Sequence, residues 1–117
     1  MEIVHKKNTA YYLAVPMIDS TTPADFKSGE TVVDTAYSKD GSGAWTALAI
    51  TDTFTEIGST GIYALNLTAA EMNHDQVFIK LTATNSADSM VLFRLNTNDI
   101  DDVPLAFGGL LGSSVIN

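Results

Sequence analysis

A chain of 117 residues has the length of one domain, and size scaling lets it bury about two-thirds of its extended-chain surface, enough for a core without staples. Hydrophobic residues at 45% and charged residues at 17% exclude wholesale disorder and argue against a coiled coil or a long solvated helix. Six basic against fourteen acidic side chains, a net charge of −8, disfavour nucleic acid and anionic membranes as partners, and the absence of cysteine removes disulfides and thiolate metal sites.

The chain opens on Glu2 to Lys6, a short mixed run expected to form an edge strand, with Lys6 and Lys7 discouraging edge-to-edge pairing. No apolar run approaches the ~20 residues of a membrane span, and the Met1 end has no signal-peptide hydrophobic region, so a soluble protein is expected. Thr9 to Ile18, TAYYLAVPMI, alternates as a strand: Tyr11, Leu13, Val15 and Met17 share one face. Pro16 cannot donate to a ladder, which places its part of the strand at a sheet edge or a bulge. Asp19 to Glu30 has turn chemistry throughout, with Phe26 expected as a plug beneath it. A connection of that length fits a crossing between two sheets.

Thr31 to Tyr37 is strand-like and is followed by Ser38-Lys39-Asp40-Gly41-Ser42-Gly43, whose Asp-Gly pair is a strong hairpin signal. Ala44 to Ile50 forms the return strand, Thr51-Asp52 turns the chain, and Thr53 to Ile57 leads into a tightly specified unit. There Gly58 and Gly61 bracket the turn of a hairpin that needs positive φ. Thr68-Ala69-Ala70-Glu71 is a capping box, with Leu67 and Met72 as its hydrophobic staple and Asn73 as its stop. Removing Thr68 or Glu71 is expected to cost about 1 kcal/mol. Gln76 to Thr84 and Ser89 to Thr97 form a last strand pair around an Asn85–Asp88 turn. Large apolar groups on both faces of this pair suggest that part of its outer face is covered.

These are about eight short strands at spacings of roughly 8–12 residues, with one short helical turn around residues 68–73. The expectation is an all-β, two-sheet antiparallel immunoglobulin-like sandwich over residues 1–103, with a closed barrel as the structural alternative. Residues 104–117 form a separate Gly-rich apolar tail. Its glycines at 108, 109 and 112 oppose a helix, while Leu105, Phe107, Leu110, Leu111, Val115 and Ile116 make it an aggregation liability if left exposed. It therefore packs on its own domain or docks on a neighbour, and these six residues are the candidate assembly contacts.

Catalytic signatures are missing, so no enzyme activity and no cofactor are expected. His5 and His74 fit no metal-binding spacing and read as surface residues; there is no GxSxG elbow, P-loop or dinucleotide fingerprint. Asp99, Asp101 and Asp102 supply oxygen ligands in principle, but lack the spacing of a calcium loop and read as a solvated strand exit. Asp40 and Asp52 read as turn formers. Exposed aromatics offer the other option, a sugar-stacking platform, for which Tyr11, Tyr12, Tyr37, Trp45 and Tyr63 are candidates, Trp45 and Tyr12 foremost. The adjacent Tyr11 and Tyr12 must point to opposite faces of their strand.

The order SKDGSGAW, FTEIGSTGIYALNLTAAEMN, QVFIKLTATNSAD and NDIDDV resembles the small β-sandwich domain of structural proteins of tailed bacteriophages and related prophages. The likeness spans Thr9 to Val103 and is most specific over Thr55 to Asn73. It implies a non-catalytic component of the virion, of head-decoration, neck, tail or fibre-attachment type, whose partners are other virion proteins and copies of itself. The acidic exit here leads into the apolar tail rather than a stalk, which favours a small assembly or decoration subunit. The alternative from a different class is a carbohydrate-binding or adhesin-like module.

Overall fold

The computed structural model describes residues 1–97; the candidate contacts in the tail and Asp99, Asp101 and Asp102 lie outside that range. Eight strands are formed: β1 (Glu2–Lys6), β2 (Tyr11–Pro16), β3 (Val33–Lys39), β4 (Thr46–Leu48), β5 (Thr55–Glu56), β6 (Ile62–Leu67), β7 (Gln76–Ala83) and β8 (Ser86–Asn96). They make a five-stranded sheet in the order β1-β8-β7-β3-β4 and a three-stranded sheet in the order β2-β6-β5. The described residues are therefore all-β in two separate sheets, a sandwich-like arrangement rather than one closed barrel. All pairings are antiparallel except β1 with β8, which is parallel.

The alternation in the sequence sets which face is buried. Leu13 and Val15 of β2 and Tyr63, Leu65 and Leu67 of β6 share one apolar core with Val77, Ile79 and Leu81 of β7 and Val91, Phe93 and Leu95 of β8. Facing periods of two on both sheets give the layered core that such a sandwich requires. Pro16 sits in β2, an edge strand of the smaller sheet, where a missing N–H costs no ladder bond. The Asp19–Glu30 connection carries the chain from the smaller sheet to the larger, as its length predicts.

The Thr68–Glu71 segment forms the expected reciprocal cap. Glu71 N donates to Thr68 Oγ1 at 3.2 Å, and Thr68 N donates to Glu71 Oε1 at 2.9 Å. Met72 N then donates to Thr68 O at 3.1 Å, and the staple residues Leu67 and Met72 are both buried in the core. The helical turn expected here does not develop into a helix. It is a hydrogen-bonded turn only, because Asn73 N closes on Ala70 O and β7 begins at Gln76, leaving no room to propagate.

Two further expectations are corrected. Phe26 is not a plug: it is 51% exposed. Tyr63 fills the place beneath the loop, donating its hydroxyl to Lys27 O at 2.8 Å and accepting from Glu30 N at 3.0 Å. The last hairpin turns at Thr84-Asn85 rather than over 85–88, since Ser86 already pairs with Ala83 past a register shift in β7. On the outer face of the larger sheet Phe78 and Leu92 are half-buried, while Tyr37 and Met90 are exposed.

Candidate functional site

Register places the outward side chains of the larger sheet in rows. Ala47, Tyr37, Phe78, Leu92 and Glu2 form one row across β4, β3, β7, β8 and β1. Lys39, Gln76, Arg94 and Val4 form the next, toward the end where β8 leaves the sheet. Trp45 immediately precedes β4. Its ring meets Phe78 edge-on, with centroids 6.5 Å apart and planes at 70°. Lys39 Nζ lies 5.8 Å from the Trp45 ring centroid, within cation–π range.

Tyr37, Trp45 and Phe78 line a depression of about 380 Å³, at the small end of the range for ligand sites. Trp45 is 43% exposed, so the rim is open to solvent. Further apolar side chains on the same face are Met90 and Val4, both exposed. Exposed apolar side chains clustered on one sheet face mark interaction sites more often than single scattered ones do.

The two proposed stacking residues are not brought together. Tyr12 belongs to β2 of the smaller sheet, where it lies opposite Asn66 and is 59% exposed. Its neighbour Tyr11 points inward, edge-on to His5 at 4.8 Å and to Phe93 at 5.2 Å. The opposite orientations of the pair follow from strand geometry. Sequence reasoning named both Trp45 and Tyr37 among the candidate aromatics but did not pair them, and it missed Phe78. The signal for the pair was available: the Asp-Gly hairpin fixes the β3/β4 register that sets Tyr37 opposite Ala47, two positions from Trp45.

The charged and histidine side chains of the loops hold the loops together. Asp40 Oδ2 lies 3.1 Å from His74 Nδ1, and Asp75 Oδ1 accepts from Lys7 Nζ at 2.9 Å. Asp75 Oδ2 also accepts from Gly41 N, so three loops are tied at one point. The hydrogen bond from Lys7 holds the Asp75 carboxyl below its ordinary value, helped by the Gly41 amide. The His74 contact does the same for Asp40.

At the opposite end of the smaller sheet's hairpin, Glu56 accepts from Gly29 N at 3.0 Å and Gly61 N at 2.8 Å. A bond from Ser28 and then these amides lower its pKa. Asp52, read as a turn former, accepts from Asn66 N at 2.7 Å. His5 Nε2 lies 3.1 Å from Thr9 O, so both histidines sit in local loop contacts. Among the described residues no cluster of His, Cys, Asp or Glu is arranged to hold a metal ion, and no helix is long and apolar enough to cross a membrane. No protein-family model matches the chain, and no curated protein matches it.

Proposed function

We propose that this chain is a non-catalytic bacteriophage virion structural protein with an immunoglobulin-like sandwich, assembling with copies of itself and with other virion proteins. Strand order supports the fold half of the reading. The sheet β2-β6-β5 corresponds to B-E-D, and β8-β7-β3-β4 corresponds to G-F-C-C′, with β1 in the A position moved beside G. The capped turn after β6 lies where such a fold passes from one sheet to the other.

One observation carries the functional half: the open apolar face of the larger sheet, built by Tyr37, Trp45, Phe78 and Met90, in a chain whose loop carboxylates are engaged in holding loops. The resemblance over Thr55 to Asn73 supplies the virion context, and the apolar residues 105–116 add a second association surface. Particle incorporation and light scattering on a Tyr37→Lys/Met90→Lys variant and on a 104–117 deletion test it. Reduced incorporation or a smaller oligomer is expected. Unchanged incorporation and unchanged mass in both variants would contradict assembly through these surfaces.

The second reading, a carbohydrate-binding or adhesin-like module, is favoured by the exposed indole of Trp45 beside Tyr37. Glycan-array binding abolished by Trp45→Ala, with the fold retained, is its signature.

A further inference from the structure

We infer that the Tyr37/Trp45/Phe78 depression takes an acidic sugar unit, stacked on its aromatic lining, with the sugar carboxylate held by Lys39. The inference rests on the carbohydrate-binding reading and names the class of sugar which that reading leaves open. Its first support is the layout of the sheet face. Register sets Tyr37 beside Phe78, with Lys39 beside Gln76 in the next row to one side and Thr35 beside Lys80 in the next row to the other. Successive rows on one face of a strand stand about 7 Å apart, so polar side chains flank an aromatic strip on both sides. An aromatic lining with a few polar groups at its border is the make-up of a small-molecule site.

The second support is the state of Lys39. On the same face, Lys80 Nζ lies 3.4 Å from Asp88 Oδ2, and Arg94 is ion-paired with Glu2. Lys39 meets no carboxylate among the described residues; its Nζ lies over the Trp45 ring instead. The neighbouring carboxylate, Asp40, is turned to His74 and to the Asp75 amide. Fourteen acidic side chains serve only six basic ones in this chain. A cation left without a carboxylate, beside an exposed indole, is therefore positioned for an anion that the described residues do not supply.

The third is the balance of interactions at Lys39. A cation–π contact at an exposed ring is worth less than a charge-assisted hydrogen bond to a carboxylate. An arriving carboxylate thus draws the ammonium from the indole and frees that ring for the apolar face of the sugar. A neutral sugar must displace the same ammonium and gives it no partner, so the site discriminates against it. The net charge of −8 opposes anions at long range, but physiological salt screens that field within about 8 Å. Lys80 and Arg94 are compensated by their partners, which leaves Lys39 as the uncompensated charge on this face.

A glycan array carrying glucuronate- and sialate-terminated glycans beside their neutral counterparts tests this on the full chain and on its Lys39→Gln and Lys39→Arg variants. Binding of the acidic glycans alone is expected, weakened about tenfold by Lys39→Gln and kept by Lys39→Arg. Equal binding of neutral and acidic glycans, or an acid preference unchanged in Lys39→Gln, would overturn the inference and leave the carbohydrate reading standing. Binding of no glycan would overturn both. Trp45 is the sole tryptophan, so its emission locates the ligand. Methyl glucuronide should shift it, and N-acetylglutamate, a carboxylate without a sugar ring, should not. Unshifted emission with the glucuronide, or equal shifts with both, counts against the site.

Discussion

Thr51 N donates to Glu71 Oε2 at 2.8 Å, across twenty residues of chain, while the other oxygen of the same carboxylate caps Thr68. Glu71 is thus both the reciprocal partner of a capping box and the anchor of the connection between β4 and β5. The Thr51 hydroxyl adds a third contact at 3.2 Å. Glu71 is only 6% exposed, so removing its carboxylate strands donors that water cannot easily reach. Glu71→Ala should therefore cost about 2–3 kcal/mol, more than the ~1 kcal/mol of a cap alone. Thr68→Ala should stay near that lower figure. Urea midpoints of the two variants check the difference, and equal losses would mean that the Thr51 contact contributes nothing.

Gly61 combines two constraints. Its φ is +76°, and a Cβ placed there would stand 2.7 Å from Phe26 Cβ and 3.0 Å from the Lys27 amide nitrogen. Gly58 has φ +60° with nothing within 4 Å. Gly58→Ala should cost about 1–2 kcal/mol for left-handed backbone. Gly61→Ala should cost roughly 1–3 kcal/mol more, because backbone must shift to relieve the overlap. Thermal midpoints of the two proteins in parallel test the ranking.

Tyr63 is the buried polar link between the Asp19–Glu30 loop and the smaller sheet. Tyr63→Phe keeps its volume and removes the hydroxyl that meets Lys27 O and Glu30 N. A loss of about 1–3 kcal/mol is expected, together with faster amide exchange at Glu30. Unaltered exchange there would show that the loop is held by other contacts.

Acid should weaken the fold through identifiable loops. Asp19, Asp40 and Asp75 are depressed from an ordinary value of 3.8 and Glu56 from 4.5. For a depressed carboxyl the unfolded chain binds more protons, so its contribution is present above the unfolded value and lost as pH falls through the folded one. Stability should therefore decline from about pH 4.5 downward. Asp75→Asn removes one such group, and its denaturation midpoint should fall less between pH 6 and pH 3 than that of the unmodified protein. Parallel declines would exclude the Asp75 knot as a source. The partner Lys7 is raised above 10.5 by the same bond, so its contribution is held below that value and lost as pH rises through the folded pKa.

Strand existence was legible wherever the alternation was clean. β2, β6 and β7 follow directly from the runs at Leu13–Val15, Tyr63–Leu67 and Val77–Leu81, and the glycine and capping signals located the hairpin and the turn. What escaped were features set by contacts distant in sequence. Phe26 looks as apolar as any core residue, but Tyr63 reaches beneath the same loop and also satisfies its backbone, so the loop takes Tyr63. The β1–β8 pairing joins the first strand to the last described one, and nothing local encodes it. The aromatic depression depends on the register between β3, β4 and β7, so Trp45 and Tyr37 were visible as single aromatics, not as a pair, and Phe78 read as an ordinary strand residue. Glu71 was recognised for its cap and not for Thr51, whose backbone amide leaves no trace in the sequence.

The central claim is that this chain is a component of a virus particle. Quantitative mass spectrometry of phage particles purified from the strain that encodes it measures this directly. The account predicts the chain at a fixed copy number per particle, retained through gradient purification. Its absence from purified particles, with the protein abundant in the surrounding lysate, would contradict the claim.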